Sequence, residues 1–210
     1  MRLKNKILVA FLSACTLLLP QVSRAQSSGD ILGLRNDLKV TLLSLGSGST
    51  RITYERAFSK RNSGEVTLGL IGLGWDWMNH TRSKGLLGKV AYKWRLIPQG
   101  TSHSWLAGFY VKPELVYAQF VYGPQQGRGS IRNKARGDAD QLSPTETRQF
   151  ALLAEGGYQL VLNWFVFDVY SGLGPSFGTG NDNNYYHSFM LYPSDGRLAF
   201  TAGFRVGVAF

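Results

Sequence analysis

RLAFTAGFRVGVAF, residues 197–210, closes the chain, and its two registers differ in kind. The even positions are Leu198, Phe200, Ala202, Phe204, Val206, Val208 and Phe210; the odd ones are Arg197, Ala199, Thr201, Gly203, Arg205, Gly207 and Ala209. A period of two with one apolar register predicts a β-strand that has a greasy face and a polar face. A soluble protein seldom finishes on such a strand with nothing after it to cover the greasy side, whereas a membrane barrel turns that side to lipid.

Phe204, Val206, Val208 and Phe210 also resemble the C-terminal signal of bacterial outer-membrane barrels: a terminal Phe preceded by apolar residues at every second position. The resemblance implies recognition by the machinery that inserts such barrels.

The opposite terminus reads as a leader. Arg2, Lys4 and Lys6 precede an apolar run from Ile7 to Leu19 that Pro20 ends, and Ser23 and Ala25 make an A-x-A-like cleavage site before Gln26. The run is short of the ~20 residues a membrane helix needs but suits a secretory signal. Residues 1–25 are therefore expected to be removed and 26–210 to form one outer-membrane β-barrel domain. Leu12-Ser13-Ala14-Cys15 offers a competing lipoprotein-type cleavage with Cys15 acylated, although the apolar run continues through Leu17–Leu19 where a lipoprotein turns polar.

Loss of Arg2, Lys4, Lys6 and Arg24 takes four positive charges from the formal +10 and leaves +6. Cys15 is the one cysteine, so its loss leaves no disulfide or thiolate metal site. The roughly 185 remaining residues suit one domain, and no linker, repeat or heptad divides them. Abundant Gly, Tyr, Phe and Trp favour strands.

Eight extended segments are predicted, at 36–46, 49–59, 64–77, 86–97, 104–122, 148–162, 163–175 and 197–210. Each reaches the ~9–11 residues of a membrane strand, and eight is the smallest usual even count. With both termini periplasmic, the connections 78–85, 123–147 and 176–196 face outward and are long. Lys60–Ser63, Pro98–His103 and Leu162-Asn163 are brief periplasmic turns, and only the first external turn, Ser47-Gly48, departs from that pattern. The expected fold is all-β: a closed, antiparallel, eight-stranded, up-and-down transmembrane barrel.

Leu38-Lys39-Val40 through Ser44-Leu45, Tyr54-Glu55-Arg56-Ala57 and the run Gly108 to Glu114 resemble the small outer-membrane β-barrel families of unassigned function in Gram-negative bacteria. The resemblance extends over essentially all of the mature chain. It implies an eight-stranded barrel and brings no catalytic residue.

With the terminal strand setting the phase, the polar faces place Lys39, Arg51, Glu55, Glu65, Lys89, Lys93, Arg95, Lys112, Glu114, Glu155, Asp168 and Arg205 inside. An eight-stranded barrel is only wide enough for its own side chains, so seven bases and five acids are expected to pair and leave no general pore. Unpaired charge in such a space costs several kcal/mol per ion. Aromatic residues sort into two belts, Tyr54, Phe58, Trp94, Trp105, Tyr158, Trp164 and Phe210 at the periplasmic end and Trp75, Trp77, Tyr117, Phe120, Tyr122, Phe150 and Phe200 at the outer end. Headgroup levels favour such amphipathic rings.

Catalytic motifs are weak. An embedded lipid A esterase or acyltransferase needs a serine, a histidine and an orienting carboxylate, but His80, His103 and His187 all fall in connections. His187-Ser188, near Asp182 and Asp195, is the least unfavourable set, and adjacent residues of an extended strand point apart. Gly180-Asn181-Asp182-Asn183-Asn184 lacks calcium-loop spacing, and Gly172-Leu173-Gly174-Pro175 lacks the helix of a nucleotide cradle. No catalytic residue, cofactor or metal is expected. Arg82, Lys84, Arg128, Arg132, Lys134 and Arg136 lie in or beside external connections, where they suit phosphates of lipopolysaccharide. The expected partners are outer-membrane lipids, lipopolysaccharide and the insertion machinery, with no nucleic acid and a monomeric state. The expected role is structural or surface-interacting; the rivals are an enzyme of outer-leaflet lipids and a soluble periplasmic barrel that binds an apolar ligand.

Overall fold

Period-two alternation along the chain becomes a continuous wall. The computed structural model describes residues 33–76, 83–98, 104–122, 145–179 and 198–210. Its strands are β1 (Asn36–Thr41), β2 (Ser47–Ala57), β3 (Asn62–Asp76), β4 (Ser83–Pro98), β5 (Gly108–Tyr122), β6 (Thr145–Leu162), β7 (Phe165–Thr179) and β8 (Leu198–Ala209). Each runs antiparallel to its neighbours in sequence, and β1 pairs with β8, so the sheet is a closed, eight-stranded, up-and-down barrel. Closure leaves no free sheet edge along the paired residues. The expected leader, residues 1–25, lies outside the described residues.

Both described termini meet at one end, called here the terminal end. The Asn36 N–H donates to the Phe210 carbonyl at 3.0 Å, and the Phe210 N–H donates back to the Asn36 carbonyl at 2.8 Å. Turns at this end are tight. The Ser59 hydroxyl accepts the N–H groups of Arg61 and Asn62 between β2 and β3. Asn163 adopts φ 55° between β6 and β7, a left-handed conformation that asparagine tolerates.

The first predicted segment, 36–46, is wrong beyond Thr41. Leu42, Leu43 and Leu45 break the alternation, and the chain makes one helical turn, α1 (Leu42–Gly46), that leaves Leu43 exposed and Ser44 buried. The Ser44 hydroxyl donates to the Thr41 carbonyl at 2.7 Å, and the Ser47 hydroxyl donates to the Ser44 carbonyl at 3.0 Å. Ser47 and Gly48 belong to β2, beside a register shift where Gly48 takes φ 75°. At six residues β1 falls below the predicted strand length. Its ladder with β8 ends at Thr41 opposite Arg205, although β8 continues to Leu198. There α1 packs against β2, β3 and β8.

The segment 104–122 also needs correction. The β5 strand starts at Gly108, and the preceding residues turn under the barrel. Leu106 and Ala107 form a buried apolar layer with Ala57, Val161, Val166 and Ala209. Leu34 and Trp105 pack against it, and the Arg35 guanidinium lies 3.9 Å over the Trp105 ring. Trp105 is thus part of the terminal-end closure, with no place in an outward belt. A second apolar layer, Ile71, Leu87, Val116, Ala118, Phe120, Ala151, Leu153 and Ala199, closes the distal half. Phe120 was expected in the outer belt and is 1% exposed. It shares the even, inward register of Lys112 and Glu114, and that phase outweighs its height in the wall.

The outer wall is apolar along its length: Leu38, Ile52, Val66, Leu70, Leu86, Val90, Leu115, Leu152, Val169 and Val208 are exposed. Phe58, Trp94 and Trp164 stand outward toward the terminal end, and Tyr117 and Phe150 toward the distal end. Trp77 lies outside the described residues.

Replacement of Leu106, fully buried in the terminal-end layer, tests that closure. Leu106→Ala is expected to cost about 2–5 kcal/mol in equilibrium urea unfolding, and Leu96→Ala, at an exposed position, under about 1 kcal/mol.

Candidate functional site

All twelve charged residues that the polar register places inside are buried in the barrel. Between the two apolar layers they build one continuous ionic core. The sheet register alone would make it unstable. Asp37 stands directly opposite Glu55 across β1 and β2, and Glu55 stands directly opposite Glu65 across β2 and β3. Like charges in facing positions repel, and here all three are buried.

Lysines from β1 and β4 separate them. Lys39 Nζ, on β1, lies 3.2 Å from Asp37 Oδ2, 2.5 Å from Glu55 Oε2 and 3.1 Å from Glu65 Oε1. Lys93 Nζ, on β4, lies 2.8 Å from Glu55 Oε2 and 2.7 Å from Glu65 Oε1. Arg95 adds an ion pair to the other Glu55 oxygen, which also accepts the Ser63 hydroxyl at 2.6 Å.

Glu65 is the hub. Besides the two lysines it meets Lys112 of β5 at 2.6 Å and Arg205 of β8 at 3.2 Å. One carboxylate on β3 thereby ties four other strands across the lumen. A second centre forms where Lys112 meets Glu114 at 2.9 Å and Glu155 at 3.0 Å, with Lys89 on Glu114 at 2.6 Å. Asp168 of β7 pairs with Arg205 at 3.4 Å and accepts the Tyr110 hydroxyl at 2.6 Å. Arg51 is buried among these groups, its stem beside Gly69.

Sequence reasoning passed over four members. Asp37 lies within the predicted segment 36–46, and its inward phase with Lys39 was the available signal. Gln159 donates to Asp37 Oδ2 at 2.7 Å, and its carbonyl oxygen accepts Lys93 at 2.7 Å and Lys39 at 3.2 Å. The amide thus carries a hydrogen bond between charges of both signs. Tyr110 and Tyr170 are the other two. With Asp37 the core holds seven bases and six acids, a formal charge of +1.

The tyrosines fit because glycines face them. Around the wall the register runs Tyr110 opposite Gly157, Gly157 opposite Tyr170, and Tyr170 opposite Gly203. A Cβ on Gly157 would overlap the Tyr110 ring, and one on Gly203 would lie 2.8 Å from the Tyr170 hydroxyl. Each ring therefore lies flat on the barrel wall and leaves the axis to cations: Lys93 Nζ sits 4.0 Å above the Tyr110 centroid, and the Arg205 guanidinium 4.1 Å above that of Tyr170. Such contacts offset part of the loss of hydration.

The remaining predicted residues fall elsewhere. Phe204, Val206 and Val208 occupy the outward register of β8, Phe204 stacks on Phe167, and Phe210 joins Asn36 at the closure. Lys84 is exposed on the outer wall at the distal end. Arg82, Arg128, Arg132, Lys134 and Arg136 lie outside the described residues, as do His80, His103, His187 and Ser188. Among the described residues no group of His, Cys, Asp or Glu has a metal-binding arrangement. The ionic core suits mechanical locking of the wall, since its carboxylates are occupied by cations and both ends of the lumen carry apolar layers.

No family model matches the chain, and neither a curated protein nor a solved structure matches it.

Removing the hub takes one shared counterion from four buried cations. Glu65→Gln is expected to destabilise the barrel by about 3–5 kcal/mol. The double variant Glu65→Gln with Lys112→Met is expected to lose less than the sum of the two singles, as a double-mutant cycle would record. Gly203→Ala, which presses on the Tyr170 ring, is expected to cost about 1–3 kcal/mol in the same urea titration.

Proposed function

We propose that this chain is an outer-membrane β-barrel with a structural or surface-interaction role in the envelope, its lumen plugged and without a general pore. One observation carries the reading: the polarity of a water-soluble protein is reversed. Charged side chains fill the centre, and large aliphatic and aromatic residues cover the outside of every strand. A soluble monomer rarely exposes a contiguous apolar patch above a few hundred Å², and this wall is apolar around its full circumference. A bilayer removes that cost. It also demands that backbone groups be satisfied internally, which a closed ladder does. On this reading the terminal end faces the periplasm and the distal end the exterior.

The packed lumen supports the absence of a pore. An ion on the barrel axis would have to cross the distal layer around Phe120 and Leu153, the salt-bridged core, and the terminal layer around Leu106. The exposed wall speaks against a soluble periplasmic barrel, whose apolar face would point inward to its ligand. The resemblance to small Gram-negative barrel families and the terminal Phe210 signal agree with the membrane reading.

Fractionation, gel migration, conductance and a substitution in the wall test it. The processed chain is expected in the outer-membrane fraction and to migrate faster on a denaturing gel when unheated; recovery as a detergent-independent periplasmic monomer would refute the proposal. In planar bilayers it is expected to give no conductance steps of general-porin size. Val90→Arg, a change at mid-wall, is expected to cost about 2–4 kcal/mol for folding into vesicles, whereas a water-exposed Val90 would tolerate arginine.

A further inference from the structure

The terminal-end rim is uneven in charge. Around β4 to β7 its outward residues are Leu96, Ile97, Phe109, Tyr158, Leu162 and Trp164, none of them ionised. The sector formed by β1, β2 and the β2–β3 turn instead carries Arg35, Arg56, Lys60 and Arg61, all exposed. Among the described residues no aspartate or glutamate balances them. Among the described residues Asp37, Glu55, Glu65, Glu114, Glu155 and Asp168 are buried in the core, and Asp76 and Glu146 belong to the distal end. Arg56, Lys60 and Arg61 take part in no ion pair among the described residues.

The surroundings of Arg56 specify more than charge. It stands in the outward register of β2 between Tyr54 and Phe58. The Phe58 ring covers Gly64 on β3, where a Cβ would lie 3.0 Å from it, and stacks toward Tyr92 at 6.4 Å between centroids. Tyr92 meets Trp94 edge to face at 5.0 Å. A strip of rings thus runs beside the cations, and directly above it the wall becomes wholly aliphatic at Leu38, Ile52, Val66 and Val90.

We infer that this sector is a binding site for an anionic phospholipid of the periplasmic leaflet, with its phosphate against Arg56, Lys60 and Arg61 and its acyl chains along the wall above. The inference rests on the membrane reading above. Guanidinium groups match phosphate oxygens in a planar, two-pronged fit, and rings of this kind favour the headgroup level. The continuous aliphatic wall selects a ligand that has both a phosphate and tails. A polyanion such as the cell-wall polymer would meet the cations but would have no use for the wall.

The test uses the folded full chain in neutral detergent micelles, with retained phosphatidylglycerol and phosphatidylcholine compared by native mass spectrometry. Folding in those micelles, seen as heat-modifiable migration, reports on the membrane reading by itself. The wild-type chain is expected to retain phosphatidylglycerol in preference to phosphatidylcholine. The triple variant Arg56→Gln, Lys60→Gln, Arg61→Gln is expected to lose that retention by about 10- to 100-fold, a size set by three interfacial charges. The double variant Lys84→Gln, Arg148→Gln at the distal end is expected to keep it, and the charge-conserving Arg56→Lys, Arg61→Lys is expected to lose less than the triple variant. Equal retention of the two lipids by the wild type, or undiminished phosphatidylglycerol on a folded triple variant, overturns the inference. So does a triple variant that keeps its lipid and loses only binding to isolated cell-wall sacculi.

Discussion

Glu65 sits where the electrostatics of the barrel are decided. It faces another carboxylate, Glu55, across a ladder whose register gives neither freedom to withdraw. The repulsion is removed only because Lys39, Lys93, Lys112 and Arg205 arrive from four different strands. In a narrow lumen no ion of this set is affordable alone, since desolvating each costs several kcal/mol. The strands that carry them therefore have to be in register together. Specificity of the closed state thus resides less in the greasy wall, which any apolar sequence of the right period would supply, than in the agreement of charges at the axis.

Packing supports that agreement. Glycines at 157 and 203 let two tyrosines lie flush with the wall, so that the centre remains wide enough for ammonium and guanidinium groups. Apolar layers above and below exclude water from the pairs. Leu106 and Ala107, contributed by a connection, close one end, and Phe120 with Leu153, contributed by strands, closes the other. An enclosure of this kind is suited to stiffening the wall.

Much of this was legible in the chain. Where a strand is apolar on one register and charged on the other, as in Lys89 to Arg95 or Lys112 to Glu114, period two assigned the inside without ambiguity, and the twelve charged positions followed. The reading failed where that contrast vanished. Leu42, Leu43 and Leu45 are apolar in both registers and became a helical turn. Trp105 and Leu106 have strand-like composition but serve as a stopper beneath the barrel. Phe120 lies where both faces of β5 are apolar and was sorted by height when only phase mattered. Asp37 lay inside the predicted segment 36–46 in the inward phase of Lys39, so the same rule would have reached it. Pairwise distances, and the choice of Glu65 over Glu114 as hub, depend on which strands become neighbours across the lumen, and no local pattern encodes that.

The brevity of β1 bears on how the molecule comes together. Its ladder to β8 spans only Asp37 to Thr41, whereas β5 and β6 zip from Gly108 to Tyr122. The long central hairpins carry far more pairing than the β1–β8 seam, which is among the shortest stitches in the wall. Asp37 and Lys39 are the charges that this edge delivers. A slip of one residue would turn both out toward the apolar side and leave Glu55 and Glu65 without the Lys39 ammonium. A single buried lysine thereby acts as a proofreading key for this seam, tolerating one alignment and penalising its neighbours.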